Sequence, residues 1–228
     1  MKRRDFLKAG FITAISGGTA WAGGKKDYFE YNRRVCKSLN DLVDYKTGEA
    51  FQLDSFVIAY FTTPYSAYPG GGCENDLLNI AAARKQAERA TGRKIKEVLV
   101  ISPLEEGETD TSFVDAYVTS EGRGNISFIG LTGEKDLTYD VSKEYRAPFD
   151  KDAKTKRIKG HGRFAVLISP NGELLAKYSQ DKPVDFEEAS FEQFSVGNYS
   201  SRMGENMTKH INEYNSLNIS DPRKECEI

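Results

Sequence analysis

Phe56-Val57-Ile58-Ala59-Tyr60-Phe61 is a continuous apolar run of strand length. It is rich in aromatic and β-branched residues. A run without polar alternation suits a central strand covered on both faces. A Pro- and Gly-rich loop follows, from Pro64 to Gly72. Beyond it Leu77, Leu78, Ile80, Ala81 and Ala87 mark a helix running to about Thr91, with Gly92 as its stop. That strand–loop–helix sequence opens an alternation that continues along the chain.

Downstream, Val98-Leu99-Val100-Ile101 reads as a strand, and Phe113, Val114, Tyr117 and Val118 give a helix after Asp110-Thr111. Ile126 to Leu131 is a third strand, followed by a helix carrying Leu137, Val141 and Tyr145. Phe164-Ala165-Val166-Leu167-Ile168 is an apolar strand that Ser169-Pro170-Asn171-Gly172 turns back into Glu173 to Tyr178, a hairpin by its Asn-Gly signal. A last helical stretch runs from about Tyr199 to Leu217. Upstream, Leu42 to Leu53 reads as a hairpin of two short strands turning through Thr47-Gly48. The expected fold is therefore α/β: a mixed sheet flanked by helices, with an N-terminal hairpin and no second domain.

Three stretches together resemble the SCO/SenC family of thioredoxin-fold proteins. They are Phe128-Ile129-Gly130-Leu131-Thr132-Gly133, the segment from Ile101-Ser102-Pro103 through Asp110-Thr111, and His161 followed by Phe164 to Ile168 and Ser169-Pro170-Asn171-Gly172. The resemblance spans about Leu42 to Leu217 and implies a thioredoxin-like domain at 42–217, between a lead-in at 23–41 and a tail at 218–228. It also implies a periplasmic protein that binds copper through two cysteines of a C-x-x-x-C-P motif and a distant histidine. Such proteins deliver copper to, or reduce the thiols of, the copper site of a respiratory oxidase subunit. Soft thiolates suit Cu(I), and an imidazole helps a site accept Cu(II).

The chain departs from that pattern between Thr62 and Glu74, which hold one cysteine, Cys73. Aligned backward from Asp76, Leu77 and Ile80, Cys73 falls on the family's second cysteine and Pro69 on the first. Aligned forward from the strand, Tyr68-Pro69 takes the second Cys-Pro and Cys73 falls in an insertion. Either way a two-thiolate site is absent. Cys73 opens a helix after a glycine run, where backbone N–H groups favour a thiolate; a buried or disulfide-bonded cysteine is its plainer reading. His161, between Gly160 and Gly162, is expected in a loop, free to turn as a metal ligand or proton acceptor beside Cys73. The resemblance thus makes Cys73 and His161 the candidate metal ligands, with copper as the metal.

The remaining candidates carry less. Met203, Met207 and His210 share the last helix at helical spacing and include copper-type donors, but a four-residue Met spacing is more often a core stripe. His210 reads as a solvated helix residue. Tyr65 and Tyr68 would line the mouth of the site. Lys151 to Lys159 is a basic run, expected as a solvated loop, with a docking strip for an acidic partner as the sharper alternative. Spacing does not fix which cysteines pair. Cys36 and Cys226 lie near the mature termini and outside the motifs, which favours a structural bridge between them and leaves Cys73 free. So long a loop would stabilise by roughly 5 kcal/mol at most.

The chain begins Lys2-Arg3-Arg4-Asp5-Phe6-Leu7-Lys8, runs through a short apolar stretch and reaches Ala20-Trp21-Ala22. That order is an export signal over residues 1–22, and its adjacent arginines resemble the twin-arginine type. Removing it leaves a remainder more acidic than the whole chain's net charge of −2, which argues against nucleic acid as a partner. No later stretch is expected to span a membrane. Three functions compete: a copper-binding or oxidase-assembly protein, a non-metal binding module on the same fold, and a single-cysteine thiol oxidoreductase. Cys73 would be catalytic only in the last. The peroxidase form of that reading lacks the Thr of a Pro-x-x-x-Thr-x-x-Cys loop, since Pro69-Gly70-Gly71-Gly72-Cys73 has none.

Overall fold

The computed structural model describes residues 35, 37–64, 72–107, 111–118, 128–179 and 196–216. The export segment, Cys36, Cys226, Tyr65 and Tyr68 lie outside the described residues. The apolar run is strand β2 (Phe56–Thr62), buried along its whole length. The elements around it are β1 (Val43–Asp44), α1 (Gly72–Thr91), β3 (Ile95–Ile101), α2 (Ser112–Val118), β4 (Ile129–Thr132), α3 (Lys135–Glu144), β5 (Phe149–Lys151), β6 (Ile158–His161), β7 (Phe164–Ile168), β8 (Leu174–Ser179) and α4 (Val196–Ser216). Six strands form one sheet in the order β1-β4-β3-β2-β7-β8, and β5 and β6 form a separate pair. β2 runs parallel to β3 and antiparallel to β7, and β3 runs parallel to β4. The α/β mixed sheet is thus as expected.

The pleat of β2 splits the core in two. Phe56, Ile58 and Tyr60 join Leu77, Ile80, Ala83 and Ala87 of α1, Val114 and Val118 of α2, and Met203, Met207 and Ile211 of α4. Val57, Ala59 and Phe61 join Leu39, Leu42, Phe51, Leu53, Val141, Tyr145, Phe149 and Ile158 on the other side. Each Val, Leu, Ile, Phe or Met side chain buried in this way contributes about 1.5–3 kcal/mol relative to exposure.

The Asn-Gly turn forms as its sequence requires. Gly172 sits at φ +88, and the Ser169 hydroxyl accepts from the Asn171 and Glu173 amides at 3.3 and 3.1 Å. Gly130, inside the Phe128–Gly133 stretch, has a packing reason: a Cβ there would stand 2.7 Å from Val118 Cγ1, so α2 rests directly on β4.

Two expectations change. The Leu42–Leu53 hairpin closes its turn, with the Asp44 amide donating to Glu49 O at 2.8 Å, but the return arm makes only an isolated bridge, Val43 to Ala50. The ladder of β1 goes to β4 instead, because Phe51 and Leu53 turn inward to the core. The Lys151–Lys159 run is not a plain solvated loop. It is the turn and flanks of the β5–β6 hairpin, with Asp152 Oδ1 accepting from the Lys154 and Thr155 amides at 2.9 and 2.8 Å. Within it Ile158 is 2% exposed, and Lys151 lies 3.3 Å above the Tyr139 ring.

Candidate functional site

The site is built where β2 ends, α1 begins and β6 passes into β7. Alternation along β2 sends Tyr60 to the helical face, where its hydroxyl donates to Asp76 Oδ2 at 2.9 Å. Asp76 lies in the first turns of α1 and is 2% exposed. Arg163, in the link between β6 and β7, meets the same carboxylate with two bonds, Nε to Oδ2 at 2.8 Å and Nη2 to Oδ1 at 2.5 Å. A buried carboxylate is costly unless its oxygens are matched, and a guanidinium fork matches both. Tyr60, Asp76 and Arg163 therefore bind three elements into one polar knot.

His161 ends β6, opposite Phe149 of β5, and is not a freely turning loop residue. Its ring stands edge-on to Tyr60, centroids 5.6 Å apart at 80°. Nδ1 lies 3.1 Å from Gly162 O. A carbonyl can only accept, so in the neutral ring Nδ1 carries the proton and Nε2 the lone pair. Burial holds the imidazole below its usual pKa, against the pull of the Gly162 carbonyl and of the Asp76 and Asp150 charges, and with help from Arg163. The neutral form is the one that ligates metals. Metal-bound histidines commonly hold a backbone carbonyl with their other nitrogen, as here. Cys73 is the second residue of α1, three before Asp76. His161 and the turn that carries Cys73 are thus joined through Tyr60 and Asp76.

With these elements in place the chain superposes on copper-bound ScoI of Arabidopsis thaliana with a TM-score of 0.53 at 19% identity, over 76% of this chain and 96% of that one. The chain has an SCO/SenC-like fold. Lower-scoring similarities are to copper-bound yeast Sco1 (TM-score 0.49, 16% identity, 78% of this chain and 87% of that) and to the bacterioferritin comigratory protein of Xanthomonas campestris (0.47, 12%, 78% and 95%). No family model matches the chain, and no curated protein matches it in sequence.

In this SCO-like fold the described residues contain no group of three or more His, Cys, Asp or Glu side chains able to hold a metal ion. Met203 and Met207, 3% and 0% exposed, are a core stripe. His210 is not solvated: its side chain is 13% exposed, and Nδ1 lies 3.8 Å from Glu213 Oε2. Burial, helped by Lys209, lowers its pKa to about 4. Among the described residues no helix is long and apolar enough to cross a membrane.

Sequence reading missed Asp76 and Arg163 as site residues. The signal was there for the first. Asp76, Ile80, Ala83 and Ala87 follow the spacing of one buried helix stripe, and a charge in such a stripe demands a partner. Nothing comparable marked Arg163.

Proposed function

We propose that this chain is an exported SCO-like protein that carries copper as cargo, with Cys73 and His161 as its own ligands. The remaining coordination comes from the Pro64–Gly72 loop, from the protein that receives the metal, or from a second molecule. The recipient is a respiratory oxidase subunit or another periplasmic redox or metal protein. On this reading residues 1–22 direct export, and a Cys36–Cys226 bridge leaves the Cys73 thiol unpaired.

The observation that carries the proposal is the setting of His161. Its ring is largely buried, the proton sits on Nδ1 against Gly162 O, and Tyr60 and Asp76 link it to the turn that begins with Gly72 and Cys73. Support comes also from the copper bound in the Arabidopsis protein of the same fold. One thiolate and one imidazole bind Cu(I) less tightly than two thiolates and an imidazole would, which suits a metal that is handed on.

The test is a Cu(I) titration of the reduced protein against a competing chelator. One-to-one binding that Cys73→Ser and His161→Ala each abolish is the expected result. Weak binding that neither substitution changes would overturn the copper reading and leave a metal-free binding module.

A further inference from the structure

We infer that Asp76 and Arg163 are positioning residues: their buried ion pair fixes how the first turn of α1 stands relative to His161. The inference rests on the copper reading for what is being positioned. The tether itself consists of neither proposed ligand.

Both members sit beside one of the ligands. Asp76 follows Cys73 by three residues, about one helical turn along α1. Arg163 follows His161 by two residues, in the link that leads into β7. The contact between them is a two-point fork, at 2.8 and 2.5 Å. A fork sets an orientation as well as a separation, which a lysine at the same place would not do. Tyr60 adds a third bond to the same carboxylate, and its ring is the surface that His161 meets edge-on. Movement of α1 away from the β6–β7 link would break both bonds of the fork together.

Stability alone does not require such a pair. Apolar side chains of similar volume commonly serve as well or better in a buried setting. What the apolar pair lacks is the fork's fixed direction. Asp76 is 2% exposed, whereas the Arg163 side chain is 33% exposed, so the knot lies at the rim of the core.

The deciding variant is the double substitution Asp76→Leu with Arg163→Met, which removes the fork without stranding a buried charge. It is compared with Arg163→Lys and with Met207→Ala, a core change on α4. Each full-length reduced protein is titrated with Cu(I), its Cu(II) electronic and paramagnetic spectra are recorded, and the copper-free His161 ring signals are followed by proton–nitrogen NMR. The double variant is expected to fold, lose at least tenfold in copper affinity, change the Cu(II) spectrum and shift the His161 ring signals. Arg163→Lys recovers part of the affinity but not the spectrum, and Met207→Ala matches the unsubstituted protein in every site readout. A folded double variant with unchanged affinity, spectrum and ring signals overturns the inference. If the unsubstituted protein binds no copper through Cys73 and His161, the copper reading falls and the ring signals alone decide. Shifted signals then uphold the tether, and unshifted ones overturn it.

Discussion

The two faces of the sheet share the same strands yet are covered in opposite styles. The Tyr60 face is packed by α1, α2 and α4, with Leu77, Ile80, Ala83, Ala87, Met203, Met207 and Ile211 interlocking. Its main polar feature is the Asp76 knot. The Phe61 face is covered by α3 and by pieces too short to hold a shape alone, among them Leu39, Phe51, Leu53, Phe149 and Ile158. Those pieces are stitched down by individual bonds: the Leu53 amide to Asn40 Oδ1 at 2.7 Å, the Ile158 amide to Glu105 Oε1 at 2.7 Å, and the Tyr145 hydroxyl to Gly172 O at 3.1 Å. A long helix can be held by periodic apolar contact. A short covering segment must have its backbone groups answered one at a time.

The sharpest way to break this comparison is to untie the Asp76 knot of the helical face. Asp76→Ala removes the carboxylate that the Arg163 fork and the Tyr60 hydroxyl share, and should cost about 1–3 kcal/mol in denaturant unfolding. A loss below about 1 kcal/mol would mean that the helical face needs no polar knot. On the other face, Ile158→Ala should cost about 2–5 kcal/mol if the hairpin is core. An exposed loop would tolerate the change within about 0.5 kcal/mol, so urea midpoints separate the two cases.

The smallest effect concerns His210, near the end of α4. Its folded pKa, about 4, lies below the ordinary 6.5, so the unfolded chain takes up a proton that the native state refuses. Stability should therefore fall as pH drops below about 6.5, by up to ~3 kcal/mol once pH is below about 4. The Glu213 carboxylate 3.8 Å away reduces that loss, and Lys209 adds to it. Urea midpoints at pH 7 and pH 4.5 for the unsubstituted protein and His210→Gln check this. Equal slopes in the two proteins would show that His210 is not the cause.

The same contrast explains what was legible in the sequence. β2, β7 and the Asn171-Gly172 turn were readable because continuous apolar runs and turn chemistry are local signals. Helices α1 and α4 were readable because their apolar residues recur with the helical period. The β5–β6 hairpin was not, because Lys151–Lys159 shows charge and only one inward apolar side chain, Ile158. His161 was readable by its place before β7, but its burial was not, since Phe149 and Tyr60 reach it only through pairing and ring contact. His210 was misread as solvated because its lone imidazole carries no sign of the packing around it. Asp76 was legible in principle, as a charge within an apolar stripe. Its partner was not, because many arginines could answer that charge and only the folded chain selects Arg163.

One feature of the topology bears on how the chain acquires its structure in time. Central strand β2 takes one neighbour, β3, from the next strand along the chain and the other, β7, from far downstream, with Val57 opposite Ile168. Pairings so distant in sequence close slowly. Until Phe164–Ile168 has been synthesised, one side of β2 remains an open apolar edge of the kind that recruits other chains. A nascent chain halted before β7 should thus be a client for chaperones rather than a half-built domain, and the sheet should assemble in one late cooperative step.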